Sequence, residues 1–307
     1  MAVSKTPQRD YAAWVKLATR ASVTVAMLLI VVKATAWLLT DSASMLASLT
    51  DSMLDGVASL FTFFAVRYAI LPADEEHRFG HGKAESLAAL VQSALITGSA
   101  MLLAVHSFQQ FYSGSEVQRH AIGMYVSVFA IVVTLALVLL QRIVMRHTKS
   151  QAIAADALHF RSDILLNVSV LTAIYLTSQG IQWADSVFAM LIAAYLAFGA
   201  IRIGWEAFQS LMDRELPDSE RLLIIDTLLN TPGIDGIHKL RTRSAGQTRF
   251  VQCHIELNDG LSLEQAHDIT HEAEGRVEAL FPETDVFLHM DPQSIVDPTN
   301  SIRKSNP

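Results

Sequence analysis

Residues 44–70 read SMLASLTDSMLDGVASLFTFFAVRYAI, an apolar run broken in its first half by two aspartates, Asp51 and Asp55. At 1.5 Å per residue the run is long enough to cross about 30 Å of hydrocarbon as a helix. A second run, 151–178, repeats the device with His159 and Asp163. Each pair is spaced i,i+4, which puts both side chains on one helix face about a turn apart. Ionisable groups at membrane depth are costly and mark ion paths or proton relays. Three carboxylates and one imidazole also make a four-ligand set for a divalent metal. Polar glue between helices is the plainer reading of one intramembrane aspartate, and it fits two matched pairs poorly.

Working outward, apolar runs recur over the first two thirds of the 307 residues and then stop. Hydrophobic residues make up 51% and charged residues 17%, with a mean hydropathy of +0.33, well away from an ordinary soluble domain. Spans are expected near 14–39, 44–70, 83–112, 121–144, 151–178 and 184–210, giving a six-helix transmembrane domain over 1–212. The first span is too long for a cleavable signal and lacks a small-residue cleavage site before a polar domain. Lys5, Arg9, Lys16 and Arg20 precede or open span one. Arg67, Arg78 and Lys83 flank the second connection, and Arg142, Arg146 and Lys149 the fourth. The other connections offer little beyond Arg119, so the positive-inside rule puts both termini in the cytoplasm. The single Cys253 excludes an intrachain disulfide, and a net charge of −7 argues against a nucleic-acid partner.

After Met212 the chain reads as a small soluble domain, 213–292, followed by a polar and mobile tail, 293–307. A helix is expected over 217–230 and strands over 237–243 and 249–257, joined by a turn at Ala245-Gly246-Gln247. Val251, Cys253, Ile255 and Leu257 alternate with Gln252, His254 and Glu256, a period of two. Ser262 and Gln265 form a capping box for a helix over 263–280, and a last strand covers 284–289. The order αββαβ implies an α+β layer of helices on a sheet.

The two acidic pairs occupy matching places in two three-span halves, as in transporters whose ligand site lies between halves near the midplane. Both pairs fall roughly 10–18 Å in from a span end, deep enough to meet. Such a nitrogen and oxygen set closes a tetrahedron round Zn²⁺ and also admits Cd²⁺, Fe²⁺, Co²⁺ or Mn²⁺. These ligands shed protons to bind metal, which lets a transporter exchange one for the other. Gly82-Lys83 lacks the rest of a phosphate-binding loop, so no nucleotide motor is expected. Lys33, near the outer end of span one, is expected to snorkel to the surface.

Two further groups carry metal-type residues. Asp74, His77 and His81, spaced D-x2-H-x3-H, fit either three ligands on a short loop or an ordinary solvated loop, and Glu75 or Glu76 can replace Asp74. The C-terminal domain holds His238, His254, His267, His271 and His289, five of the chain's eleven histidines, together with Asp291. His254 points away from the apolar side of its strand, and Cys253 into it. His106, His120 and His147 have no partner pattern and are expected to be structural.

Six stretches carry a resemblance. They are Thr50 to Asp55, Pro72 to Glu85 with Gly80-His81-Gly82-Lys83, Ala155 to Asp163, Leu211 to Arg214, His238 to Arg243, and His289-Met290-Asp291-Pro292. In this order and spacing the chain resembles the cation diffusion facilitator family over about residues 10–295. The resemblance implies a transport site of Asp51, Asp55, His159 and Asp163, and a loop site of Asp74, His77 and His81. It also implies a cytosolic two-metal cluster of His238, His254, His267, His289 and Asp291, with Asp291 bridging. The domain would have a metallochaperone-like fold and form much of a homodimer contact. Lys83 and Asp213 match a charged pair that locks two protomers, and His271 falls outside the family pattern.

The expectation is a homodimeric metal/proton antiporter of a bacterial inner membrane, not an enzyme. Zn²⁺, with Cd²⁺ or Fe²⁺ as alternatives, would leave the cell against incoming protons by alternating access. A membrane metal sensor without flux and a proton-coupled organic-cation exporter are the rival readings. A membrane metalloprotease is disfavoured, because His271-Glu272-Ala273-Glu274-Gly275 lacks the second histidine of H-E-x-x-H.

Overall fold

The computed structural model describes residues 6–41, 43–113, 121–179, 183–281 and 283–303. His120 and Arg119 lie outside them. Six helices come first: α1 (Thr6–Thr40), α2 (Ala43–Ala69), α3 (Lys83–Ser113), α4 (Ala121–Thr148), α5 (Gln151–Ser178) and α6 (Ala184–Leu211). Among the described residues, α1 to α4 and α6 each contain a stretch long and apolar enough to cross a membrane. Arg9–Phe208 form one compact unit, and the chain from Gln209 onward belongs to a second.

The helical unit is apolar outside, and its interior mixes apolar clusters with a buried polar network. Leu38, Leu39, Phe64, Leu102 and Phe198 are exposed, whereas Ser22, Ser59, Thr62, Gln92, Gln141 and Asp156 are buried. This inversion suits a lipid solvent, which wets leucine and rejects an unpaired amide. Asp156 on α5 is the hub. Its Oδ2 accepts from Ser22 Oγ on α1 (2.6 Å) and from Gln141 Nε2 on α4 (2.8 Å). Its Oδ1 accepts from Gln92 Nε2 on α3 (3.3 Å) and Ser59 Oγ on α2 (3.4 Å). Thr62 on α2 adds a bond to Gln92 Oε1 at 2.7 Å. Five helices are therefore tied to one carboxylate. Ala88, Ala89, Ala152 and Ala155, all fully buried, let the backbones approach closely enough for those bonds.

Lys33 does not snorkel. It turns towards α2, where its Nζ donates to Ser52 Oγ (2.6 Å) and to the carbonyl of Ser48 (3.2 Å). A hydroxyl and a backbone oxygen within reach hold the ammonium better than the long path to water. His147 stacks on Trp14 with centroids 5.0 Å apart and bonds its own helix, a structural role as expected.

The C-terminal unit runs α7 (Asp218–Leu229), β1 (Ile234–Ala245), β2 (Thr248–Leu257), α8 (Leu263–Leu280), β3 (Thr284–Pro292), two 3₁₀ turns (Gln293–Ile295 and Pro298–Asn300) and β4 (Ile302–Arg303). The sheet order is β3-β2-β1-β4. β1 and β2 form an antiparallel hairpin, with Gly246 in the left-handed region (φ 61°) at its turn. β2 and β3 pair in parallel, because α8 carries the chain back across the sheet between them. α8 begins with the capping box: Ser262 Oγ accepts from Gln265 N, and the Gln265 side chain accepts from Ser262 N. Val251, Cys253, Ile255 and Leu257 of β2 pack with Ile224, Leu228, Ala273, Val277 and Leu288, so the period of two faces the helices as expected.

The tail departs from expectation. Residues 293–303 are not a mobile run but a strap that ends in β4, pairing Gly236 with Arg303 and Ile237 with Ile302 on the open side of β1. Local turn chemistry holds it. Asp259 Oδ1 accepts from Ser294 N at 3.1 Å, and Asp297 caps the second turn by accepting from Thr299 N at 2.9 Å.

Candidate metal centres

Inside the helical unit, Asp55 of α2 meets His159 of α5, with Oδ1 2.8 Å from Nε2. Asp163, one turn beyond His159, brings a third ligand atom, and the three lie within 4.8 Å of one another. An imidazole and two carboxylates at that spacing suit a tetrahedral cation with one position open. Helix geometry explains the selection. The i,i+4 pair of α5 presents both members to α2, while only the deeper member of the α2 pair reaches them. Asp51 is exposed and stands outside this close group. The Asp55–His159 hydrogen bond uses the lone pairs that a metal would need, so metal and proton compete for the same atoms.

In the connection after α2, Asp74, His77 and His81 also converge within 4.8 Å. Asp74 Oδ2 is 3.2 Å from His81 Nε2, and its Oδ1 is 3.4 Å from His77 Nδ1. A turn builds the group. Asp74 Oδ1 accepts from the backbone N–H of His77 (2.6 Å) and of Glu76 (3.0 Å), and Gly80 takes φ 77° so that His81 returns. The His77 amide is the chief reason the Asp74 carboxyl lies below its ordinary value. Slight desolvation acts the other way, while the His81 charge and the Glu76 amide reinforce the lowering. His81 is buried, with Tyr68 edge-on at 4.5 Å, and its Nδ1 has no hydrogen-bond partner among the described residues. Glu75 and Glu76 are exposed and outside the group.

In the C-terminal unit, strand register lines up His238, His254 and His289 across β1, β2 and β3. Asp291 sits one row on. Its Oδ2 is 2.7 Å from His254 Nδ1 and 3.2 Å from His238 Nε2, and its Oδ1 is 3.3 Å from His289 Nε2. One carboxylate thus faces imidazoles with both oxygens, the geometry a bridging ligand needs. Partial burial raises the Asp291 carboxyl. The His254 hydrogen bond and the positive character of His254, His289 and His238 outweigh it, and the balance lies below the ordinary value. His267 is not in this group. It lies exposed on α8, its ring parallel to His271 at 6.1 Å. Asp213 is 3.3 Å from Arg243 Nη1, and Lys83 opens α3.

Several residues escaped the sequence reading. Asp156 is an acid in an apolar helix, three residues from His159, and the rule that marks intramembrane charge applies to it equally. Tyr11 donates to the buried Glu85, an acid hidden by its place next to polar loop residues. Glu256, fully buried on the His254 face of β2, looked like the exposed member of an alternating strand.

An apolar helix bundle with a carboxylate–imidazole group inside it, followed by an α+β domain with a second such group, defines a membrane cation transporter. Residues 19–212 match the cation efflux transmembrane domain, and residues 216–293 match the cytoplasmic domain of cation efflux proteins. The chain belongs to the cation efflux family, the cation diffusion facilitators. It is similar to the cation-efflux pump FieF of Shewanella oneidensis, with 50% identity over 297 residues, 97% of this chain and 99% of the relative. FieF of Serratia proteamaculans is 48% identical over 287 residues, 94% of this chain and 96% of the relative. Among solved structures, the metal-bound C-terminal domain of the CzcD transporter from Thermotoga maritima covers 27% of this chain and 100% of its own, at 23% identity and a TM-score of 0.25. The chain is accordingly a cation efflux transporter, and its C-terminal domain is the dimerisation domain of the family.

Proposed function

We propose that the chain exports Zn²⁺ in exchange for protons by alternating access, with Asp51, Asp55, His159 and Asp163 as the transport site. The observation that carries this reading is the Asp55–His159–Asp163 group, set inside an apolar bundle in a chain of the cation efflux family. One nitrogen and several hard oxygens favour Zn²⁺ and accept Cd²⁺ or Fe²⁺. Asp51, on the same face of α2 one turn away, supplies the fourth ligand after a small shift of α2 against α5. His159 shares a proton with Asp55 when metal is absent, and metal entry expels it. Protons returning from the far side discharge the metal, which gives obligatory exchange without a nucleotide.

In this reading Asp74, His77 and His81 form a second site, and His238, His254, His289 and Asp291 form a cytosolic cluster in domain 213–292, with His267 apart from it on α8. Two protomers pair through that domain in a bacterial inner membrane, both termini in the cytoplasm. Lys83 of one protomer and Asp213 of its partner secure the membrane edge.

The test is Zn²⁺ flux into proteoliposomes with a pH dye inside. Wild type should take up metal while protons leave. Asp55→Ala and Asp163→Ala should fall to background although folded and dimeric, and Asp51→Ala should be strongly impaired. Normal flux in Asp55→Ala would sink the site. Specific metal binding with no flux in the folded wild type would make the protein a sensor.

A further inference from the structure

Beside the row of cytosolic imidazoles runs a second row, Arg303–Gly236–Glu256–Asp291, one residue from each strand of the sheet. Glu256 at its centre is fully buried. A buried carboxylate needs a partner for each oxygen, and these two partners are of different kinds. Oε2 accepts from Arg303 Nε (3.2 Å) and Nη2 (3.1 Å). Oε1 lies 3.4 Å from His238 Nδ1, within ion-pair reach, and among the described residues neither of these two buried atoms has a hydrogen-bond partner, so each faces the other as its nearest match. His238 presents its other nitrogen, Nε2, to Asp291 at 3.2 Å. Gly236 makes the row possible. A Cβ there would stand 2.8 Å from Glu256 Oε2 and 2.8 Å from Ser301 Oγ, closing the gap through which Arg303 reaches over β1.

An imidazole that binds metal through one nitrogen commonly donates its other N–H to a carboxylate, which fixes both tautomer and ring orientation. We propose that Glu256 positions His238 for metal, and that Arg303, delivered by the C-terminal strand β4, holds Glu256 in place. The end of the chain thereby acts as a latch on the cytosolic metal group, and metal bound there tightens the latch in return. This rests on the reading of His238, His254 and Asp291 as a metal site. The reciprocity is thermodynamic: whatever factor the latched strap adds to metal affinity, metal adds to latching. Glu256 and Arg303 are positioning residues and touch no metal themselves.

Hydrogen exchange of the full-length protein, followed by mass spectrometry across a Zn²⁺ titration, tests the latch. Peptides from β1, β2 and residues 298–303 report on this site and not on the transport or loop sites. In wild type, Zn²⁺ should slow exchange in all three, and His238→Ala should abolish the effect. Glu256→Gln and Arg303→Ala should shift the Zn²⁺ midpoint upward by about 10–100-fold, the usual cost of losing an outer partner of a ligand. Arg303→Lys, which keeps the charge but loses the two-pronged geometry, should shift it several-fold, and it serves if the alanine variant fails to fold. An unmoved midpoint in folded Glu256→Gln and Arg303→Lys would overturn the proposal. Lower metal-free stability with an unmoved midpoint would overturn it too, leaving a structural ion pair only. No Zn²⁺ response in wild type would remove the metal site and the latch together, a result distinct from either.

Discussion

At the scale of single residues, Cys253 and His254 show how one step along a strand decides chemistry. His254 stands against the Asp291 carboxylate, while Cys253 is 2% exposed in the core. Burial pushes its thiol up to about 12, against the smaller opposing effect of backbone bonds at His238 and His254. Nucleophilic and metal-binding behaviour both need the thiolate, whose share at pH 8 is then on the order of 10⁻⁴. A maleimide at pH 8 should leave the folded protein unmodified and label it fully in denaturant. Rapid labelling of the native protein would contradict the assigned side of the strand. Residue-scale signals of this kind were legible beforehand, since alternation alone assigns the faces of β2. Alternation could not reveal that Glu256, on the polar face, is buried: its cover comes from Arg303, nearly fifty positions later in the chain.

Among the elements, α5 does the most connecting. Its Asp156 collects donors from α1, α2, α3 and α4, and its next turn carries His159. Asp156→Ala would take from Gln92 Nε2 and Ser59 Oγ, both buried, the acceptor they use, each costing about 1–3 kcal/mol, while Ser22 keeps the Ala18 carbonyl and Gln141 keeps Ser22 Oγ. A loss of a few kcal/mol and a clearly lower thermal midpoint in detergent are expected. Asp156→Asn, which keeps one acceptor oxygen, should lose less. Equal midpoints for Asp156→Ala and wild type would mean that the network relaxes without cost. The helices themselves were readable from hydropathy and the αββαβ order from periodicity and turn residues. β4 was not, because two residues display no period and their partner strand lies far away in sequence. The i,i+4 rule likewise found the acidic pairs but could not say which aspartate of α2 meets the imidazole. That depends on how α2 and α5 pack, which no single helix encodes.

For the molecule as a whole, coupling is the property to measure. If protons and metal compete for Asp55, His159 and Asp163, an acidic lumen should speed Zn²⁺ accumulation in proteoliposomes. A proton ionophore that collapses the gradient should remove the gain. Flux indifferent to the gradient would leave an efflux protein that lets metal down its own gradient. The experiment separates driving force from affinity, which no static geometry does.

The parallel pairing of β2 with β3 also restricts how this chain can vary. Val286, Leu288 and Met290 face the core, and His289 and Asp291 face the row of imidazoles, by their place in the register with β2. One residue inserted within β3 ahead of His289 would exchange the two sets beyond it, turning the Asp291 carboxylate to the core side and Met290 to its place. Substitutions can accumulate there; odd changes of length cannot. In descendants of this sequence, insertions and deletions within β3 should occur in even numbers or be absent.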